Sequence, residues 1–172
     1  VVNSGSFRLE NIAMHPAYRE LLSSFDLQLP RIESCLAKLD DAQVWTRPLP
    51  AMNSIGNLCL HLAGNVSHYV GACIGKSGYV RDRSGEFDAN GGSTRGELLD
   101  KLRDAVATAR RVTETLGPDD LEREIDSNYP PDATVIGILV HVSTHFAYHT
   151  GQILVLTKLL TTDDARILEW GH

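Results

Sequence analysis

Residues 135–160 read VIGILVHVSTHFAYHTGQILVLTKLL, and the reading of this stretch decides the fold. Val135, Ile136, Ile138, Leu139, Val140, Ile153, Leu154 and Leu156 make it strongly apolar, while His141, His145, Tyr148, His149 and Gln152 return along one side. At about 100° per residue, that spacing draws a polar stripe down an otherwise apolar helix. A helix this apolar belongs inside a bundle. Its stripe needs partners there, because an unpaired buried polar group costs free energy. A matching stripe stands earlier in the chain. Ser54, Asn57, His61, Asn65 and His68 recur every three or four residues within a segment that also carries Ile55, Leu58, Leu60, Leu62, Val66 and Val70. Two such helices facing each other predict a helical bundle with a polar seam.

Working outward, two more helices complete the set. The first is predicted from Pro16 to about Leu39, on Leu21, Leu22, Phe25, Leu29, Ile32, Leu36 and Leu39, with Pro30 expected to kink or split it. Asp40 to Pro50 is a connector. The second helix, bearing His61, is predicted from about Ser54 to about Ile74, capped by Asn53 or Ser54. The third opens at Thr94, with Glu97 in capping-box spacing, runs through Leu98, Leu102, Val106, Ala109 and Val112, and stops at Gly117-Pro118. The fourth follows Pro130-Pro131, with Asp132 as its cap, and runs to about Leu160.

The linker between the second and third helices is Gly-rich (Gly75, Gly78, Gly85, Gly91, Gly92). Its charges, Arg81, Asp82, Arg83, Glu86 and Asp88, read as an ordinary solvated loop. About 18 extended residues reach ~60 Å, whereas a 20-residue helix is ~30 Å long. The linker can therefore cross the whole bundle and leave helices two and three parallel. No segment shows strand-like alternation. The expected fold is an all-α four-helix bundle, with residues 1–172 forming a single domain.

Composition agrees with a globular chain: 172 residues, 42% hydrophobic and 22% charged, with 16 basic against 22 acidic side chains for a net charge of −6. That balance argues against a basic nucleic-acid-binding face. No apolar run reaches the ~18–20 residues of a membrane helix, and Val1 to Glu10 has no signal-peptide pattern. Cys35, Cys59 and Cys73 are odd in number and far apart, so they read as buried thiols in a reducing, cytoplasmic setting.

Imidazole is the commonest metal ligand, and five histidines on two stripes point to an ion in the seam. His145 and His149 sit four residues apart, as do His141 and His145, and either pair suits one ion. His141 and His149 are ~12 Å apart along the axis, and His61 and His68 ~10 Å, too far to share. Spacing therefore calls for two histidines from the fourth helix and one from the second. Three imidazoles with an open position suit catalysis or substrate binding. His15 and His172, near the termini, receive no role. The segment His145-Phe-Ala-Tyr-His149 lacks the Glu of a zincin, neither stripe holds a carboxylate, and the nearest candidates for a base are Glu86 and Asp88 in the linker.

From about Leu21 to Leu160 the chain resembles the DinB/YfiT-like metalloenzyme superfamily. Asn53-Ser-Ile-Gly-Asn-Leu-Cys-Leu-His61-Leu-Ala-Gly-Asn65 is similar to that family's second helix. His145-Phe-Ala-Tyr-His149-Thr-Gly-Gln152 is similar to its fourth-helix hallmark HxxxHRGQ, with Thr150 in the place of Arg. Arg81-Asp-Arg-Ser-Gly-Glu-Phe87 resembles the loop of one subgroup. The resemblance implies a DinB-like bundle of up-down-down-up order and a homodimer. It also implies a divalent ion, zinc or nickel, held by His61, His145 and His149, with His68 and His141 flanking. Relatives include S-transferases using bacillithiol or mycothiol, a mycothiol-dependent maleylpyruvate isomerase, and damage-inducible proteins without an assigned reaction. The expectation is a metal-dependent enzyme acting on a small molecule, foremost a low-molecular-weight thiol S-transferase. Tyr148 and Gln152 are candidates to position substrate, although Tyr148 reads first as core-packed. The alternatives are a metal-dependent hydrolase using Glu86 as base, a non-catalytic metal-binding stress-response protein, and a metal-free core network of histidines.

Overall fold

Pro16 begins the first helix at no cost in hydrogen bonds, because the amide it lacks is one that a helix start leaves unpaired. His15 Nδ1 accepts from the Ala17 amide at 3.2 Å and serves as the cap. In the computed structural model of the protein, which describes residues 14–127 and 133–161, this helix, α1, spans Pro16–Leu36. It continues through Pro30, so the proline does not split it. The proline removes only its own amide, and the buried residues Phe25, Ile32 and Cys35 on either side hold both halves against one core. A last tight turn, Leu39 amide to Leu36 carbonyl at 3.2 Å, takes the place of the predicted end of the helix.

The second predicted helix is two structures in series. Helix α2 spans Ile55–Val66 and opens on a reciprocal cap, Ser54 Oγ accepting from the Asn57 amide (3.1 Å) and Asn57 Oδ1 from the Ser54 amide (3.0 Å). From Ser67 to Ile74 the turns widen to a π-helix, closed by a bond from the Gly75 amide to the Val70 carbonyl at 2.9 Å. The linker is not structureless. It holds a short helix, α3 (Arg83–Asp88), whose cap Asp82 accepts from the Gly85 amide at 2.9 Å. Helix α4 (Arg95–Glu114) starts on the expected Thr94–Glu97 capping box. Helix α5 spans Val135–Thr161, and Thr134 Oγ1 accepts from the Gly137 amide at 3.2 Å at its start. The Asp132 cap lies outside the described residues. Among the described residues no strand forms; Glu124 and Thr134 make one isolated bridge.

Side-chain pairs give the order of the helices. Glu33 meets Arg103 and the earlier Asp26 meets the later Arg110, so α1 and α4 are antiparallel. Phe25 packs on Phe146 and Cys35 lies by Thr157, so α1 and α5 are parallel. His61 faces His149 while Tyr69, further along, faces His141, so α2 and α5 are antiparallel. Gly71 lies by Thr108 and Gly75 by Val112, so α2 and its π-helical continuation run parallel to α4. The result is an all-α bundle of up-down-down-up order with the crossover spanning its length, as the linker arithmetic allows. Its core includes Tyr18, Phe25, Ile32, Leu58, Leu62, Leu98, Leu102, Ile138 and Phe146. All of Cys35, Cys59 and Cys73 are free and buried. No helix among the described residues is long and apolar enough to cross a membrane.

Candidate functional site

Antiparallel packing of α2 on α5 brings three imidazoles to one point. His145 Nε2 lies 3.1 Å from His61 Nε2 and 3.1 Å from His149 Nε2. One nitrogen from each of the three lies within 4.8 Å of the other two. The four-residue step from His145 to His149 brings their rings edge to face at a centroid distance of 4.5 Å. The ring of His61 enters edge-on from across the seam.

The outer nitrogens determine what the inner ones offer. His61 Nδ1 is 2.9 Å from Glu86 Oε2, and an ionised carboxylate only accepts, so Nδ1 carries a proton and, in the neutral ring that binds metal, Nε2 keeps its lone pair. Arg81 Nη2, 3.1 Å from the same Nδ1, gives its shorter bond to Glu86 Oε2 at 2.7 Å and also reaches the His61 carbonyl. His149 Nδ1 donates to Gln152 Oε1 at 2.7 Å, which likewise leaves a lone pair on its Nε2. Two lone pairs thus converge on His145. One N–H at His145 Nε2 can serve only one of them at a time, and His145 Nδ1 is itself buried without a hydrogen-bond partner. A cation satisfies all three nitrogens at once. The donor set of three imidazoles therefore fits a divalent ion.

Electrostatics keep two of the rings ready. Burial, followed by the neighbouring rings of His149, His61 and His141 and the Arg81 charge, pushes the His145 pKa down to about 3. Burial also lowers that of His149, against the opposing effect of the hydrogen bond it donates to Gln152. Both are neutral near pH 7, as metal binding requires. With the folded-state pKa below the ordinary 6.5, the unfolded chain takes up protons first as pH falls. In the metal-free protein this stabilisation is complete above about pH 6.5 and is lost as pH falls toward 3. Urea melts of metal-free protein should give midpoints that fall between about pH 7.5 and pH 5, a window above the range where carboxylates titrate. Midpoints independent of pH across that window would contradict neutral burial of these rings.

Several sequence expectations change here. Glu86 is not a solvated loop charge. It is 7% exposed, bonded to His61 and clamped by Arg81. Burial acts to raise its pKa, but the hydrogen bonds from His61 and Arg81 outweigh it and the net shift is downward. Nothing in the periodicity of a Gly-rich linker marks one of its carboxylates as buried. The closest signal was an unexplained need, namely that His61 lacked a stated partner for its second nitrogen. Asn57, read as part of the stripe facing the fourth helix, turns instead to the crossover. Its Nδ2 donates to the carbonyls of Glu86 (3.0 Å) and Ala89 (2.8 Å). Tyr148 is 65% exposed rather than core-packed, because it lies on the outer side of α5.

His68 and His141 stand outside the cluster of three. His68 Nε2 lies 3.8 Å from Cys73 Sγ, and the Tyr69 ring lies between the rings of His68 and His141 at 4.9 and 5.3 Å. Thr150, at the hallmark's Arg position, is buried and bonds the Phe146 carbonyl at 2.8 Å.

Comparison with known proteins gives the chain a family and a fold. A family model described as mycothiol-S-transferase matches residues 20–161. The chain is also similar to the crystal structure of a conserved protein from Enterococcus faecalis. The TM-score is 0.73 at 20% identity, and the likeness covers 88% of this chain and 100% of that one. At such identity the likeness shows the fold. No curated protein matches the chain.

Proposed function

The chain belongs to the mycothiol-S-transferase family, and from that premise we propose that it is a divalent-metal-dependent transferase joining a low-molecular-weight thiol, mycothiol foremost, to an electrophilic small molecule. His61, His145 and His149 are the metal ligands in this reading, and zinc or nickel is the ion. The observation that carries it is the convergence of three Nε2 atoms, two of them held as lone pairs by Glu86 and Gln152. A divalent ion held there supplies a Lewis acid that favours the thiolate, the reactive form of a thiol.

The chain's own side chains do the orienting. Glu86 and Gln152 fix two of the rings, and Phe87 packs against His61 with its ring 4.6 Å away. An open groove of about 490 Å³ lies one side chain away from His149, through Gln152. Its walls include Met52, Leu58, Tyr148, Val155 and Leu156, which suit the apolar body of an electrophile. A hydrolase would need a carboxylate beside the Nε2 cluster. Glu86 instead meets the opposite nitrogen of His61, with both of its oxygens engaged, and this favours thiol over water activation.

Three coarser parts of the reading have their own support. The buried apolar residues among those described gather in one core, which supports reading the chain as a single domain. Three free buried thiols suit a reducing cytoplasm. Val140, Tyr148, Val155 and Leu159 form an exposed apolar stripe on α5 suited to a homodimer. The test is turnover of mycothiol with an alkylating fluorophore, by zinc- or nickel-loaded protein beside metal-free protein. The expected result is thioether formation that depends on the loaded ion. A loaded protein no faster than the metal-free one would reject the transferase and favour a non-catalytic metal-binding role.

A further inference from the structure

The crossover puts two opposite charges into the wall of the bundle. Glu86 is buried, and the Arg81 side chain is 9% exposed. Arg81 grips the carboxylate with two parallel bonds, Nε to Oε1 at 2.6 Å and Nη2 to Oε2 at 2.7 Å, while Oε2 also accepts from His61 Nδ1. A buried carboxylate is costly to desolvate and persists only where it is paired and hydrogen-bonded.

The surroundings are shaped to receive it. Gly64, one turn past His61 on α2, leaves the space that Glu86 fills, since a Cβ there would overlap Oε1. Asn57, one turn before His61, holds the carbonyls of Glu86 and Ala89. Arg47 Nη2 donates to the Phe87 carbonyl at 2.7 Å. The crossover is therefore anchored at the level of His61 from three sides.

We infer that Glu86 and Arg81 are positioning residues for the metal centre, acting through His61; this rests on the metal-centre reading above. Glu86 selects the tautomer of His61 with the proton on Nδ1 and the lone pair on Nε2. Arg81 holds that carboxylate in register through its two parallel bonds. The Glu86 bond also links the centre to the crossover. An ion that fixes His61 orders residues 81–89, and by reciprocity the ordered crossover tightens the ion. Partners of this outer kind typically account for about 10–100-fold in metal affinity.

The experiment compares wild type, Glu86→Gln, Gly64→Ala and, as a control for charge alone, Asp88→Asn; Asp88 is exposed two residues further on. Gly64→Ala keeps the carboxylate but expels it, and alanine is the better helix former, so it covers the case in which Glu86→Gln fails to fold. Zinc affinity, by competition with a chromophoric chelator, should fall about 10–100-fold in Glu86→Gln and Gly64→Ala and stay unchanged in Asp88→Asn. Nitrogen-15 spectra of histidine-labelled, metal-free protein should show His61 protonated at Nδ1 in wild type and as a tautomer mixture in the two variants, because Arg81, which engages both Glu86 oxygens, competes for the one oxygen left in Glu86→Gln and turns the amide N–H toward Nδ1, while Gly64→Ala displaces both oxygens. Zinc should slow amide exchange over residues 81–89 in wild type and not in the variants.

An unchanged His61 tautomer in both variants overturns the inference, as does zinc affinity within about threefold of wild type, short of the outer-shell range. Zinc binding in wild type with no effect in the variants sinks this inference alone. Failure of wild type to bind zinc or nickel sinks the metal centre and with it the positioning role.

Discussion

Replacing His145 with alanine should strip the protein of stoichiometric zinc or nickel. His145 is the middle ring, 3.1 Å from each of the other two Nε2 atoms. Without it the remaining pair has no third donor on α5, and His141 lies a further turn away. The loss should exceed the 10–100-fold typical of an outer-shell partner, reaching more than about 10²-fold in affinity. The fold should survive. Alanine is a better helix former than histidine, and the removed ring leaves behind two imidazoles with one less crowded neighbour. Elemental mass spectrometry on untagged protein, reconstituted and desalted, would show about one ion per wild-type chain and little in the variant, while circular dichroism stays helical. An ion retained at full occupancy in His145→Ala would remove His145 from the ligand set.

The next residue should behave in the opposite way. Phe146 points away from the seam, is fully buried and packs edge-on against Phe25 at 5.2 Å. Phe146→Ala opens a cavity between α5 and α1, the pair of parallel helices that frames the core. Such truncations cost about 3–5 kcal/mol. At roughly 2–4 °C per kcal/mol for a chain of this size, the midpoint should fall by about 6–20 °C. Metal stoichiometry, measured well below the new midpoint, should stay near one per chain. A drop of less than about 1 kcal/mol in urea melts would mean that the site collapses around the cavity, or that Phe146 is less central than its burial implies. Two adjacent substitutions, one removing the ion and one removing stability, together test the division of α5 into a polar seam and an apolar core face.

That division was legible before any coordinates, because it is a property of one helix. Side chains three and four residues apart share a face whatever the rest of the chain does. The Thr94–Glu97 cap is equally local, and α4 begins where it says. The spacing of His141, His145 and His149 confined the choice to two neighbouring pairs, although it could not choose between them. The π-helix from Ser67 to Ile74 was not legible, since its wider turns leave no mark in apolar spacing. Nor was the persistence of α1 through Pro30, because local chemistry predicts a break there and buried neighbours on both sides prevent it.

The limit is clearest at His61. Sequence alone placed it on a polar stripe and required that its buried ring be satisfied, which is a statement about one residue and its helical neighbours. Only the tertiary structure decided with what. Glu86 is 25 residues away, in a segment whose composition reads as solvent-exposed, and Arg81 is 20 residues away. Which nitrogen of His61 carries the proton, and therefore which one faces His145 and His149, depends on that distant carboxylate. Periodicity is dictated by the geometry of a single helix and survives any arrangement of the others. The pairing of a buried charge depends on the path of the crossover over the bundle, and no local repeat in the chain encodes that path.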